Sequence, residues 1–136
     1  MAHKVYRSWT GSKKNKFGNS KVEVDGIVFD SQKEASRYRQ LKLLEGAGMI
    51  RDLRMQVKYV LIPTQYSKTE FNKDKTPKVI EKECAYYADF VYIDELGTEH
   101  VEDIKGYRDP SSAGYAKFVI KRKLMLHLYG IVVEEV

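Results

Sequence analysis

The sequence predicts a mixed α/β (α+β) domain in which a helix, three strands, a second helix and a last strand follow in that order. Three observations carry this expectation. An apolar stripe at helical spacing, Ala35, Tyr38, Leu41 and Leu44, marks a helix from Ser31 to about Ala47, ended by Gly46 and Gly48. A second stripe, Tyr115, Phe118, Val119, Arg122, Leu126 and Tyr129, marks a helix from about Ser112 to Tyr129 that Gly130 stops. Between the helices, runs rich in aromatic and β-branched residues alternate with turn signals, the pattern of short strands.

Taken in order, residues 1–20 are polar and basic, with Lys13, Lys14 and Lys16 at their centre. They are either a tail or a basic arm that lies along a phosphate backbone. Lys21 to Phe29 alternates around Asp25-Gly26, the signal of a hairpin with a two-residue turn. Ser31-Gln32-Lys33-Glu34 matches a capping box, in which the Glu34 carboxylate accepts from the backbone N–H of Ser31. Glu34 also precedes Tyr38 and Leu41 by four and seven residues, so it shares their inward side, where a carboxylate needs a partner. Met55 to Ile62 forms a strand halted by Pro63. Thr64 to Lys82 carries Lys68, Lys73, Lys75, Lys78 and Lys82 and forms a long loop or a protruding ribbon whose length hints at more than connection. Strand pattern resumes near Val79, Gly106 to Ser112 turns the chain, and Ile131 to Val133 supplies the last strand.

With 136 residues, 43% of them hydrophobic and 32% charged, the chain has the length and composition of one globular domain, expected over residues 21–136 behind the arm. A formal charge of +5 and a pI of about 9.2 point to a polyanionic partner. The distribution says more: residues 1–22 hold six bases and no acid, whereas Glu81 to Asp109 hold nine acids against Lys82, Lys105 and Arg108. An acidic site framed by basic segments is expected, with Lys117, Lys121 and Lys123 on the second helix as further phosphate contacts. Cys84 is the single cysteine, which rules out an internal disulfide and a zinc cluster. No apolar run spans a membrane and no signal-peptide segment opens the chain, so a cytoplasmic protein without a membrane partner is expected.

The chemistry concentrates between Asp89 and Lys105. Phe90 to Ile93 and His100 to Ile104 form two strands around Asp94-Glu95-Leu96-Gly97. A two-residue loop would set Asp89 opposite Glu102. Gly97 favours a three-residue loop with a bulge, in which Asp94 pairs with Thr98 and Asp89 falls across from Asp103. Residues two apart on a strand share a face, so Lys105 joins Asp103 while Glu102 and Ile104 point the other way. Such a cluster is either an ordinary solvated sheet surface or a cation site. Like charges directly opposite each other are destabilising, which favours a Mg²⁺ ion (or Mn²⁺) between the carboxylates.

Together, the element order and three motifs resemble the PD-(D/E)XK nuclease superfamily. The motifs are Phe29-Asp30-Ser31 with Glu34-Ala35, Tyr87-Ala88-Asp89-Phe90, and Val101-Glu102-Asp103-Ile104-Lys105-Gly106. More closely, residues 22–136 are similar to a small phage and prophage endonuclease family placed in that superfamily. The departure is Ala88 where the pattern has proline. The resemblance implies a restriction-endonuclease-like αβββαβ core, a central mixed sheet flanked by two helices. It also implies metal ligands at Asp89, Asp103 and Glu34, catalysis by those acids with Lys105, and Gln56 lining the site. The implied function is Mg²⁺-dependent hydrolysis of DNA, on branched or recombination intermediates as Holliday-junction resolvases act. A homodimer would suit such a substrate, since two nicks require two sites. The alternative is a nucleic-acid-binding module without catalysis, in which the acids serve structure.

Overall fold

A computed structural model describes residues 20–105 and 109–136. The expected arm lysines, Lys13, Lys14 and Lys16, lie outside these residues, as does part of the Gly106 to Ser112 turn. The chain divides into two compact units, Met1–Arg39 and Gln40–Val136. The division falls inside the first helix.

In the first unit, β1 (Val22–Val24) and β2 (Ile27–Phe29) pair antiparallel, with Val24 opposite Ile27. Asp25 and Gly26 both take positive φ, 53° and 75°, as a two-residue turn of this twist demands. Helix α1 (Gln32–Gly46) starts here, and the Tyr38 ring lies 5.1 Å from that of Phe29. Ala35 and Tyr38 are buried, in agreement with the stripe.

In the second unit α1 ends on Gly48 at φ 75°, with the Met49 N–H donating to the Leu44 carbonyl. The strands follow: β3 (Ile50–Ile62), β4 (Gln65–Phe71), β5 (Pro77–Glu81), β6 (Cys84–Asp94) and β7 (Glu99–Asp103). After them come α2 (Ala113–Tyr129) and β8 (Glu134–Glu135). The central sheet has the order β3-β6-β7-β8, antiparallel as far as β7 and parallel between β7 and β8. This is a mixed α+β architecture with a central mixed sheet and two helices. Strands β4 and β5 form a separate two-stranded ribbon that interrupts the passage from β3 to β6.

Against the sheet, α2 buries Phe118 and Met125 in a core of Leu61, Tyr86, Ala88, Val91, Val101 and Val133. Ser112 caps the helix by accepting from the Tyr115 N–H, and Gly130 closes it at φ 66°. None of the helices among the described residues is long and apolar enough to cross a membrane.

Three sequence expectations are corrected. The first central strand begins at Ile50 instead of Met55, because a register shift between Arg51 and Arg54, with Asp52 at φ 57°, carries pairing past a stretch that breaks the alternation. The last strand is Glu134–Glu135, not Ile131 to Val133: the Ile131 N–H still bonds the Met125 carbonyl, so pairing with β7 starts only when the helix exit is complete. On α2, Met125 is buried and Leu126 exposed, which moves the stripe by one residue at that turn.

Candidate active site

The hairpin of β6 and β7 has the three-residue loop. The Asp94 N–H donates to the Thr98 carbonyl at 2.9 Å, the Gly97 N–H to the Asp94 carbonyl at 3.0 Å, and Gly97 takes φ 82°. Asp94 Oδ1 also accepts the N–H groups of Leu96 and Thr98, both at 2.9 Å. The ladder runs from Ile93↔Glu99 to Phe90↔Glu102, and its continuation places Asp89 across from Asp103. At that point the carboxylate of Asp89 takes over from the backbone: its Oδ2 accepts the Ile104 N–H at 2.8 Å. The acid is thereby locked to the end of the neighbouring strand.

Gln56 holds the other oxygen of Asp89, Nε2 to Oδ1 at 3.0 Å. Its backbone is at φ 51°, an uncommon conformation for a residue inside a strand, and it lies between the pairs Met55↔Phe90 and Val57↔Ala88, opposite Asp89. Asp103 is buried. Its Oδ2 accepts from the Tyr86 hydroxyl at 2.9 Å, and its Oδ1 lies 2.6 Å from Lys105 Nζ. That ammonium also sits 3.5 Å from the centroid of the Phe118 ring, on α2. Four of the expected residues, Gln56, Asp89, Asp103 and Lys105, are thus brought together.

Burial raises the pKa of Asp89, and the Asp103 charge adds to the rise; the Ile104 N–H, Gln56 and Lys105 oppose it. Burial, with the anion of Asp103 beside it, pushes the Tyr86 hydroxyl far up, so it stays a hydrogen-bond donor at any working pH. Two carboxylates and one ammonium group meet at this point of the sheet. Both acids offer hard oxygen ligands on rigid strands, which suits Mg²⁺.

Glu34 belongs to the first unit and forms part of the expected cap. Its N–H donates to Ser31 Oγ at 3.2 Å, and the Ser31 hydroxyl donates to Glu34 Oε1 at 3.3 Å. Among the described residues no three His, Cys, Asp or Glu side chains are gathered to hold a metal ion. On the second helix Lys117 and Lys123 are exposed and Lys121 is half-buried. Glu102, on the opposite side of β7 from Asp103, is buried and accepts from the Tyr92 hydroxyl at 2.7 Å.

Sequence reasoning missed Tyr86 and the role of Phe118. Tyr86 stands three residues before Asp89, so strand alternation puts it on the other face and no local signal joins it to Asp103. Phe118 was legible as core but not as the ring beneath Lys105.

Fold and geometry define a mixed α+β domain with a paired-carboxylate and lysine site where two strands part. The chain belongs to the family described as protein of unknown function DUF1064, whose model matches residues 14–132. No curated protein and no solved structure matches it.

Proposed function

We infer that the protein is a Mg²⁺-dependent DNA endonuclease on a restriction-endonuclease-like core, acting on branched or recombination-intermediate DNA. The observation that carries this reading is the convergence of Asp89, Asp103 and Lys105, with Lys105 Nζ 2.6 Å from Asp103. A binding-only protein gains nothing from two buried-side carboxylates in a groove meant for phosphates.

In this reading Asp89 and Asp103 hold the cation. When bound, the ion supplies a water acidified toward neutral pH and charge compensation on the phosphate. The protein's own residues do the positioning. Gln56 and the Ile104 N–H fix the plane of the Asp89 carboxylate, and the Tyr86 hydroxyl fixes that of Asp103. Lys105, steadied by the Phe118 ring, orients the attacking water and donates to the phosphate oxygen that gains charge. Lys117 and Lys123, together with the arm lysines, would contact the backbone of the substrate.

Cleavage of linear duplex, flap and four-way-junction DNA in Mg²⁺ tests the proposal. Asp103→Asn is expected to abolish cleavage, because the amide removes the charge that faces Asp89 and Lys105. Glu102→Gln is expected to spare it, since the amide oxygen still accepts from Tyr92. A dead Glu102→Gln beside an active Asp103→Asn would overturn the assignment, and DNA binding without cleavage on all three substrates would favour a non-catalytic module.

A further inference from the structure

The β4–β5 ribbon has no part in the site described above, and its surface is out of keeping with a mere connection. None of its residues is buried, and Tyr66, Phe71, Val79 and Ile80 are 55%, 54%, 49% and 64% exposed. A two-stranded hairpin by itself is marginal in water, and large apolar groups left open on one mark a surface meant to be covered. Tyr66 lies directly opposite Val79, and, past a register shift, Phe71 opposite Pro77. Tyr66, Pro77 and Val79 border an open cavity of about 440 Å³, with the polar Asn72 and Thr76 at the tip end.

The tip is built rather than loose. The Asn72 N–H donates to the Thr76 carbonyl at 2.8 Å, Asn72 Nδ2 donates to Thr76 Oγ1 at 3.1 Å, and Asp74 Oδ1 accepts both the N–H and the hydroxyl of Thr76. The ribbon carries a net positive charge, five lysines against Glu70, Asp74 and Glu81. Of Lys68, Lys73, Lys75, Lys78 and Lys82, Lys78 alone meets a carboxylate among the described residues, Glu70 at 3.9 Å. Asp74 is spent on the turn.

We propose that this ribbon is a binding site for a single-stranded nucleic-acid segment, with a base stacked on Tyr66 in the cavity and the lysines along the phosphates. An aromatic face beside apolar walls takes any base, and a polar rim meets its edge; a row of lysines tracks the backbone. A second copy of this chain would bring the same lysines against themselves, which charge opposes. The inference deepens the nuclease reading and rests on it for what the strand is delivered to. Ten residues separate Val79 from Asp89, at most about 33 Å of strand. That is the reach of about ten stacked nucleotides at 3.4 Å each. The ribbon would thus hold the unpaired arm of a branched or flapped substrate while the paired acids face the scissile phosphate.

Fluorescence anisotropy in metal-free buffer tests this without calling on cleavage. The probe is a labelled oligothymidylate, with heparin as a polyanion that has charge but no bases. Tyr66→Ala is expected to weaken oligothymidylate binding about tenfold or more. It should leave heparin binding and the thermal midpoint unchanged, and Tyr66→Phe should retain affinity. Lys73→Ala with Lys75→Ala should reduce the slope of log K against log salt by about 1.4. Oligothymidylate affinity of Tyr66→Ala within about twofold of wild type, well short of the loss expected for a stacked base, would overturn the proposal. So would dissociation of a dimer by Tyr66→Ala with DNA affinity intact. If the ribbon binds as expected but no DNA is cut, the nuclease reading falls and the binding site stands; if DNA is cut and Tyr66→Ala binds normally, the reverse holds.

Discussion

At the scale of single residues, the geometry makes Asp89 the most informative position. Its two oxygens are held by Gln56 and by the Ile104 N–H, and both bonds survive in Asp89→Asn if the Gln56 amide turns over. What the substitution removes is the charge facing Asp103. Metal-free Asp89→Asn is therefore expected to be more stable than wild type by a few tenths to about 1 kcal/mol, a rise of roughly 1–4 °C in thermal midpoint. A fall in the midpoint would show that the carboxylate is more a structural acceptor than a repelled anion. Glu34 makes the complementary case. The cap needs a side-chain oxygen at residue 34 that accepts from the Ser31 hydroxyl and a backbone N–H at residue 34 that donates to Ser31 Oγ, and glutamine supplies both. Glu34→Gln is therefore expected to keep the thermal midpoint of the metal-free protein, and a fall would show that the cap relies on the carboxylate charge.

At the scale of elements, the junction of β6, β7 and β8 is tied by one imidazole. His100 Nε2 lies 2.8 Å from Asp94 Oδ2 and Nδ1 2.8 Å from Glu134 Oε1, with the ring stacked on Tyr92. The hydrogen bond to Asp94 raises the His100 pKa above 6.5, with Glu134 adding to the rise, and the same bond lowers that of Asp94. For a raised cationic group, the stabilisation is fully present below the unfolded value and is lost as pH rises through the folded one. For Asp94 it is present above 3.8 and lost as pH falls through its depressed value. His100→Gln should therefore lower the urea midpoint at about pH 5.5 and much less at about pH 9.5. Equal losses at both would mean that the ring packs on Tyr92 without clamping the strands. The same hairpin shows what an element discloses from sequence. Gly97 alone decided the loop length, because the left-handed conformation it permits is the one the three-residue loop requires, and the register of Asp89 followed.

At the scale of the whole molecule, metal binding and folding are coupled in the proposed function. A cation between Asp89 and Asp103 binds the folded chain and relieves its repulsion, whereas the unfolded chain keeps the two apart. Mg²⁺ or Mn²⁺ is expected to raise the thermal midpoint of the wild type, adding about 2.7 kcal/mol of stability at a hundredfold excess over the dissociation constant. Asp89→Asn should lose most of that response. Identical wild-type midpoints with and without saturating metal would count against the pair as a cation site.

The sequence by itself determined both helices, their caps, the first hairpin, and the meeting of Asp89, Asp103 and Lys105. Each of these depends on neighbours within a few residues or on a register that one turn sets. Tertiary structure alone decided the rest. It placed Tyr86 on Asp103 and the Phe118 ring beneath Lys105, contacts between residues 17 and 13 apart in the chain that no local period encodes. It moved the α2 stripe from Leu126 to Met125, since which side of a helix is buried depends on the sheet it meets. It also delayed the last strand to Glu134–Glu135, because a strand exists only where a partner offers its edge, and β7 offers one only at Glu102 and Asp103.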